Sequence, residues 1–432
     1  MKKLLMLGGS LSSKEIIQKA KKRGWYTIVT DMIPPEFSAA KQEADAYWMI
    51  STAEVDLLEQ KCREEGIDAV FAGVSEFNLD RVSILAKDLG LPCYISEGTW
   101  EYARNKRLFK TKCIEKGIPV VPEYPVPDPD DADAWDRIVY PVVVKPVDGT
   151  GNAGLSICRN RQELIAGLRK ASDFGDNPEL ILERYITGEE TWNYYFAAEG
   201  VIRYIYSGTV YRQPGYPTFL YSFGSSAAAG VNDYLRKMDP QFSGLLKETG
   251  FREGIAWIQC IRDDEGNYYA LEMAHRLSAD TSGSILKKCH GIDNVEWMLD
   301  TALGIKHTAD MLPEPIARPY RGATCVYYLF ADHAGTIEKI SGIDSLDPEE
   351  FNVEMVRQQG DNVEQYRLMV KIVFSARTAR EICSILQQLN RTIGITDDNG
   401  RDLAVRFTDY EAVMQRHKGL MQTEDDSTAA EL

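Results

Sequence analysis

The stretch 142–157, VVVKPVDGTGNAGLSI, limits the fold more than any other part of the chain. A β-branched apolar run ends in Lys145-Pro146, a loop follows with Gly149, Thr150, Gly151 and Gly154, and Leu155-Ser156-Ile157 alternates like a second strand. The pattern reads as buried strand, glycine turn, strand. Glycine lets backbone N–H groups close on a bulky anion without a Cβ in the way. Successive N–H groups in such a turn form an anion-binding concavity, and a lysine at its mouth adds a compact positive charge. The spacing Gly149-x-Gly151-x-x-Gly154 also matches the dinucleotide fingerprint, but that fingerprint needs a helix directly after the glycines. The nearest helical pattern here starts later, over 162–170. A P-loop is excluded, because no Gly-Lys-Ser/Thr closes the loop. An ordinary glycine-rich hairpin is the competing reading of this stretch taken alone.

Charge bounds the partners. The 432 residues carry 49 Lys and Arg against 65 Asp and Glu, a net −16. A general nucleic-acid surface would be basic, so no nucleic-acid partner is expected, and a polyanionic ligand needs a locally basic site. The length suggests two to four domains. Eight cysteines are scattered along the chain, none with metal-ligand spacing. They read as buried free thiols in a reducing compartment. The opening MKKLLMLGG has an apolar run over only 4–7, too short for a signal peptide. No stretch approaches membrane-span length. A cytoplasmic protein without a membrane partner is expected.

Taken in order, 4–7 reads as a buried strand with Gly8-Gly9-Ser10 as its turn. Ser12-x-x-Glu15 resembles a capping box opening a helix through Arg23. Strands at 25–30, ending in Asp31, at 46–50 and at 68–72, with a helix over 55–65, argue a parallel doubly wound sheet. Ligands of such sheets sit beyond the carboxyl ends of the strands. That places Gly8-Gly9-Ser10, Asp31 and Ser75-Glu76-Phe77-Asn78 on one rim. A purely structural rim, with Glu76 capping the next helix, competes evenly. One basic helix is predicted over 100–117, carrying Lys106. A strand over 180–186 runs into Thr187-Gly188-Glu189-Glu190. The aromatic residues of 192–211 read as a sheet face. Strands over 254–261 and 268–273 flank a turn at 262–267. Pro313-Glu314-Pro315 marks a boundary, followed by β-rich sequence with one helix over 379–389. The tail from about 422 is polar and expected to be disordered.

Hairpin pairing would bring Gln259 and Glu272 together. Hard Mg²⁺ is held by one or two such oxygen ligands plus substrate phosphates, and Arg276 is suited to clamp a carboxylate or phosphate bidentately. A surface hairpin with outward polar residues is the alternative for that segment alone. The order of parts is more specific than any one of them. It runs from a helix lysine to a strand lysine with a glycine loop, then Glu-x-Tyr-Ile-x-Gly-Glu-Glu, a strand Gln, and Glu-Met-Ala-His-Arg.

This order resembles the ATP-grasp superfamily, in particular its carboxylate–amine ligases such as the L-amino-acid ligases. It is also similar to biotin carboxylase, to the carbamoyl-phosphate synthase halves and to the purine-pathway members. The resemblance implies an α/β chain with the ATP-grasp fold. A Rossmann-like N-terminal lobe would span 1–100 and the ATP-grasp domain 101–317, with a mobile lid at about 118–186. A β-rich C-terminal lobe would span 318–432. It implies ATP and Mg²⁺ (or Mn²⁺) as cofactors, and relatives that are often homodimers. Lys106 and Lys145 would meet the α/β-phosphates, and the loop with Gly149, Thr150, Gly151 and Gly154 would be the phosphate flap. Glu183, Arg184, Tyr185 and Ile186 would be the adenine hinge and Glu190 the ribose acid. Gln259 and Glu272 would be the metal ligands. Arg276 would steady an acyl phosphate or carboxylate, with Glu76 and Asp280 beside the substrate. Ala274 departs from the Asn of many members.

The implied function is an ADP-forming ligase that joins a small carboxylate, such as an amino acid, to an amine through an acyl phosphate. Three alternatives accompany it. One is bicarbonate and carboxyphosphate chemistry on the same scaffold. Another is an ATP-binding subunit without turnover, which Ala274 makes reasonable. The last is a nicotinamide oxidoreductase with Asp31 on a ribose.

Overall fold

The computed structural model describes residues 1–128, 131–147, 154–174, 179–217, 220–226, 230–278, 286–287, 291–313 and 323–416. The chain divides into two compact units. One comprises Met1–Thr187, Asn193–Ile205 and Arg236–Pro315; the other comprises Gly188–Trp192, Tyr206–Leu235 and Ile316–Leu432. The strands Gly188–Ala198 and Val201–Tyr211 run through both.

The first unit opens with a four-stranded parallel sheet in the order Ala46–Trp48, Tyr26–Thr30, Lys3–Leu7, Ala69–Ala72. Its inner strands are near-continuous apolar runs, as a sheet covered on both faces requires. Leu4, Leu5, Met6, Val29 and Phe71 are fully buried. The helices Val55–Glu65 and Glu76–Leu89 stop at Gly66 and Gly90, both left-handed (φ 65° and 68°), a backbone conformation glycine adopts without Cβ strain. The first helix, Leu11–Lys22, starts one residue before the expected capping box. Ser10 is its N-cap, and the Ser10 hydroxyl bonds those of Ser12 and Ser13.

A second, antiparallel sheet of this unit has the order Glu123–Tyr124, Leu180–Arg184, Val142–Pro146, Ser156–Cys158. The helix Arg161–Ser172 packs on it through Leu164 and Ala171 against Val142, Val144 and Leu182. The expected single helix over 100–117 is two, Glu97–Arg104 and Lys106–Glu115. Asn105 breaks it: its backbone is extended, and its side chain accepts the Leu108 N–H at 3.1 Å. Asn competes with the backbone for such bonds and so favours caps over helix interiors.

The hairpin Gly254–Asp263 and Tyr268–Ala274 lies beside the part of Gly188–Ala198 that belongs to this unit. Trp257 faces Ala274, Ile258 faces Met273 and Gln259 faces Glu272, with a bulge between Gln259 and Cys260. His275 follows, fully buried. Its Nε2 accepts the Ser96 N–H at 3.1 Å, so Nδ1 carries the proton and donates to the Ile255 carbonyl at 2.9 Å. The ring thus staples the segment before Glu97–Arg104 to the base of the hairpin.

In the second unit, Val201–Tyr211, Phe223–Ser225, Ala323–Phe330, Leu368–Ala376 and Asn352–Met355 are neighbours in that order. The helix Ala379–Thr392 turns Ile382, Leu386 and Leu389 into the core beneath them. The polar tail expected from 422 lies outside the described residues. No helix among the described residues is long and apolar enough to cross a membrane.

Burial lowers the pKa of His275 from 6.5 to about 4. The unfolded chain therefore takes up a proton below about pH 6.5 that the folded chain refuses until about pH 4. Stability should fall across that window as the pH drops, with a contribution from this group approaching about 1.4 kcal/mol per pH unit. Urea titrations at stepped pH check it: His275→Gln should flatten the dependence between pH 6.5 and 5.

Candidate functional site

All the geometry below belongs to the first unit unless stated. The helix Lys106–Glu115 supplies three cations from its first two turns. Lys106 is its first residue, and its Nζ lies 3.2 Å from Glu272 Oε2. Lys110, one turn on and on the same face, is buried. Its ammonium reaches Glu183 Oε2 at 2.9 Å, Glu123 Oε1 at 2.5 Å and the Val121 carbonyl at 3.1 Å. Arg107 pairs with Glu123 and, at 2.7 Å, with Glu179.

The antiparallel sheet of Val142–Pro146 and Leu180–Arg184 brings the other lysine. Glu183 faces Val143 on one side and Glu123 on the other, and Lys145 lies two residues beyond Val143 on the same face. Lys145 Nζ bonds Glu183 Oε1 at 2.5 Å. The Glu183 carboxylate is thus shared by two lysines. Burial pushes its pKa up, but the charges of Lys145 and Lys110 outweigh that and hold it below the usual carboxylate range. Glu272 behaves alike: burial raises it, while Lys106, then Lys145 and Arg276, bring it down.

Arg276 completes the cluster. It donates to Glu76 Oε1 from Nη2 at 2.9 Å and from Nε at 3.3 Å, and to the Leu277 carbonyl at 2.9 Å. Glu76 opens the helix Glu76–Leu89 at the carboxyl rim of the parallel sheet, where Ser75 accepts the Asn78 N–H. Ser75 is the N-cap of that helix, so Glu76 faces the cluster instead of capping.

Arg184, Tyr185 and Ile186, expected as an adenine hinge, follow Glu183 in the chain. The Arg184 and Tyr185 amides donate to the Pro122 and Pro141 carbonyls, the Arg184 guanidinium lies over Tyr269, and Ile186 is buried. Gly154 has φ +74°, and a Cβ there would come within 3.0 Å of Pro146 and 3.2 Å of Phe174, so this position suits only glycine. Gly149, Thr150, Gly151 and Asp280 lie outside the described residues. Glu190 belongs to the second unit, where it pairs with Arg212 and accepts the Tyr221 hydroxyl at 3.3 Å. Asp31 is not open to a ribose: its Oδ2 takes the Gly9 N–H and its Oδ1 takes Lys41, at 2.6 Å.

Gln259 and Glu272 are cross-strand partners, one amide and one carboxylate oxygen ligand. Among the described residues, no group of three or more His, Cys, Asp or Glu side chains is placed to hold a metal ion. The pair fits a hard divalent cation that draws its other ligands from phosphate and water. Lys110 and Glu123 escaped the sequence reading. The four-residue step from Lys106 to Lys110 was the available signal, since it puts both on one helix face.

Residues 105–198 match the family model described as "Carbamoyl-phosphate synthase L chain, ATP binding domain". The L-amino acid ligase structure from Bacillus licheniformis superposes with a TM-score of 0.75 over 92% of this chain and 99% of that one, at 21% identity. This is an ATP-grasp fold. The biotin carboxylase domain of Hydrogenobacter thermophilus 2-oxoglutarate carboxylase, a dimer in complex with MgADP, ADP and bicarbonate, shares the ATP-grasp architecture. Its TM-score is 0.74 over 92% of this chain and 91% of that one, at 18% identity. A biotin carboxylase from Halalkalibacterium halodurans is 25% identical over 267 residues, 59% of this chain and 58% of its own length. The chain thus spans a little over half of that ATP-grasp relative.

The double clasp on Glu183 has a measurable energy. Lys110→Met leaves a buried carboxylate with one cation in place of two, and should destabilise the protein by about 3 kcal/mol. Urea denaturation checks it, and adding Glu183→Gln should recover part of the loss, because the uncompensated charge is then gone.

Proposed function

We propose that this protein is an ADP-forming carboxylate–amine ligase working through an acyl phosphate. The observation that carries the reading is the convergence of Lys106, Lys145, Gln259, Glu272 and Arg276 in one cluster, with Glu76 beside it. Phosphoryl transfer asks for positioning and charge neutralisation more than for a protein nucleophile. The two lysines provide both for the phosphates of ATP. Gln259 and Glu272 would hold Mg²⁺, which when bound neutralises phosphate oxygens. The MgADP complex of the relative supports that pairing of cofactors.

The substrate carboxylate oxygen attacks the γ-phosphorus, the bond to the β-phosphate oxygen breaks and ADP leaves. An amine then attacks the acyl carbon, inorganic phosphate departs, and the nitrogen loses its proton. Arg276 steadies the oxyanion in both steps. Closure of the glycine loop would shield the acyl phosphate from water.

The neighbouring opposite charges of Arg276 and Glu76 match the two ends of a zwitterion, so an amino acid is the proposed carboxylate, its ammonium toward Glu76. The seven described cysteines are all free, which supports a reducing, cytoplasmic setting. Homodimerisation goes with the dimeric relative.

ADP release with pairs of amino acids, ATP and Mg²⁺ tests the reading. Lys145→Ala and Glu272→Ala should each lower turnover by about 10² or more. Amine-dependent turnover that survives either change would overturn it.

A further inference from the structure

Arg276 rests on an aromatic floor that the reading above leaves without a task. Its guanidinium carbon lies 5.1 Å from the centroid of the Trp257 ring. Trp257 stands opposite Ala274 and two residues before Gln259, which stands opposite Glu272. Cross-strand partners and alternate residues share a face. Trp257, Ala274, Gln259 and Glu272 therefore lie on the same side of the hairpin, the side on which Lys106 meets Glu272. The small side chain at 274 leaves the indole room beside that row.

The indole is only 5% exposed, yet among the described residues its Nε1–H has no hydrogen-bond partner. A buried donor without an acceptor is unfavourable, and such groups ask for a specific explanation. Trp297 also carries an indole N–H without a partner among the described residues. Its ring, on the helix Asn294–Ala302, stacks on His307 at 3.7 Å. Trp257 alone of the two lies in contact with Arg276.

We propose that Trp257 is a substrate-binding residue: its ring fixes the plane of the Arg276 guanidinium, and its Nε1–H is the second donor to the oxyanion that Arg276 grips. The ligand class is a small carboxylate, and the same N–H would serve the acyl phosphate made from it. The assignment rests on the ligase reading and adds a recognition element to it. An indole N–H is a neutral donor with no acceptor capacity, so it selects for oxygen acceptors at that point and against an ammonium group. The stacked ring has a separate effect, since a guanidinium over an indole face is held by the ring quadrupole.

Two measurements on the full chain decide it. The first is the ¹⁵N–¹H indole spectrum, in which Trp257→Phe identifies the Trp257 resonance by its loss. Titration with acetate, in the presence of a non-hydrolysable ATP analogue and Mg²⁺, should move that resonance downfield and slow its exchange with water. The second is steady-state kinetics with the amino-acid pair that gives the fastest ADP release. Trp257→Phe keeps the ring and removes the donor. It should raise KM for the carboxylate substrate by about tenfold while leaving KM for ATP and the melting temperature near their original values. Trp257→Leu removes the ring as well and should lower kcat in addition.

An indole resonance indifferent to acetate that calorimetry shows to be bound, or an unchanged KM in Trp257→Phe, overturns the proposal. If no amino-acid pair supports ADP release, the ligase reading fails by itself, and the acetate titration still decides the role of Trp257. If Trp257→Leu does not fold, Trp257→Phe carries the test.

Discussion

Charge compensation around Glu183 and Glu272 is the interaction on which the rest of the site depends. The chain carries a net −16, yet it concentrates Lys106, Arg107, Lys110, Lys145 and Arg276 around the four-stranded antiparallel sheet and the hairpin. Each cation has a carboxylate counterpart, in Glu272, Glu123, Glu179, Glu183 and Glu76. Burying like charges together would be prohibitive without these partners. The carboxylates therefore keep the ammonium groups aimed inward without a nucleotide. In the ligase reading, ATP would enter by exchange, its phosphates replacing Glu183 and Glu272 as counterions to lysines already in position.

The two clasps differ in kind. Glu183 is buried between two lysines in a sheet whose core is closed by Val142, Val144 and Leu182. Glu272 is partly exposed and meets one lysine and the field of two further cations. A carboxylate that must accept a metal ion needs the second arrangement, because its lone pairs have to remain reachable. A carboxylate that only orients a lysine is better served by the first. Glu183 was read from sequence as part of the adenine hinge. Its side chain adds an orienting contact that no local pattern announces, since both partners come from other elements.

Much of the fold was legible because it follows from local rules. The runs at 4–7 and 142–145 are strands because β-branched and apolar residues fill a covered sheet. The Gln259 and Glu272 pairing was legible because a short turn fixes hairpin register. Two features were misread for reasons equally local. Asn105 was absorbed into a basic helix whose composition outweighed one cap residue, though its side chain ends one helix and starts the next. The first helix begins at Leu11 with Ser10 at its N-cap, ahead of the apparent capping box at Ser12, whose hydroxyl meets that of Ser10. The partners of Lys110 and Trp257 were illegible in a different sense. Those partners, Glu183 and Arg276, lie 73 and 19 positions away, and only tertiary packing makes them neighbours. Gly149, Thr150, Gly151 and Asp280 keep the standing that the sequence gives them.

The bulge between Gln259 and Cys260 has a bearing on how this hairpin can diverge. In an unbroken ladder, one residue gained or lost turns every later side chain over to the other face. Here the slip is taken up locally, just past Gln259 and Glu272 and before the tip at Asp263–Asn267, where Asp263 receives the Glu265 and Asn267 amides. The tip is thereby insulated from the chemistry. It is the segment in which length variation, or a grafted peptide label, leaves Gln259 and Glu272 still facing each other.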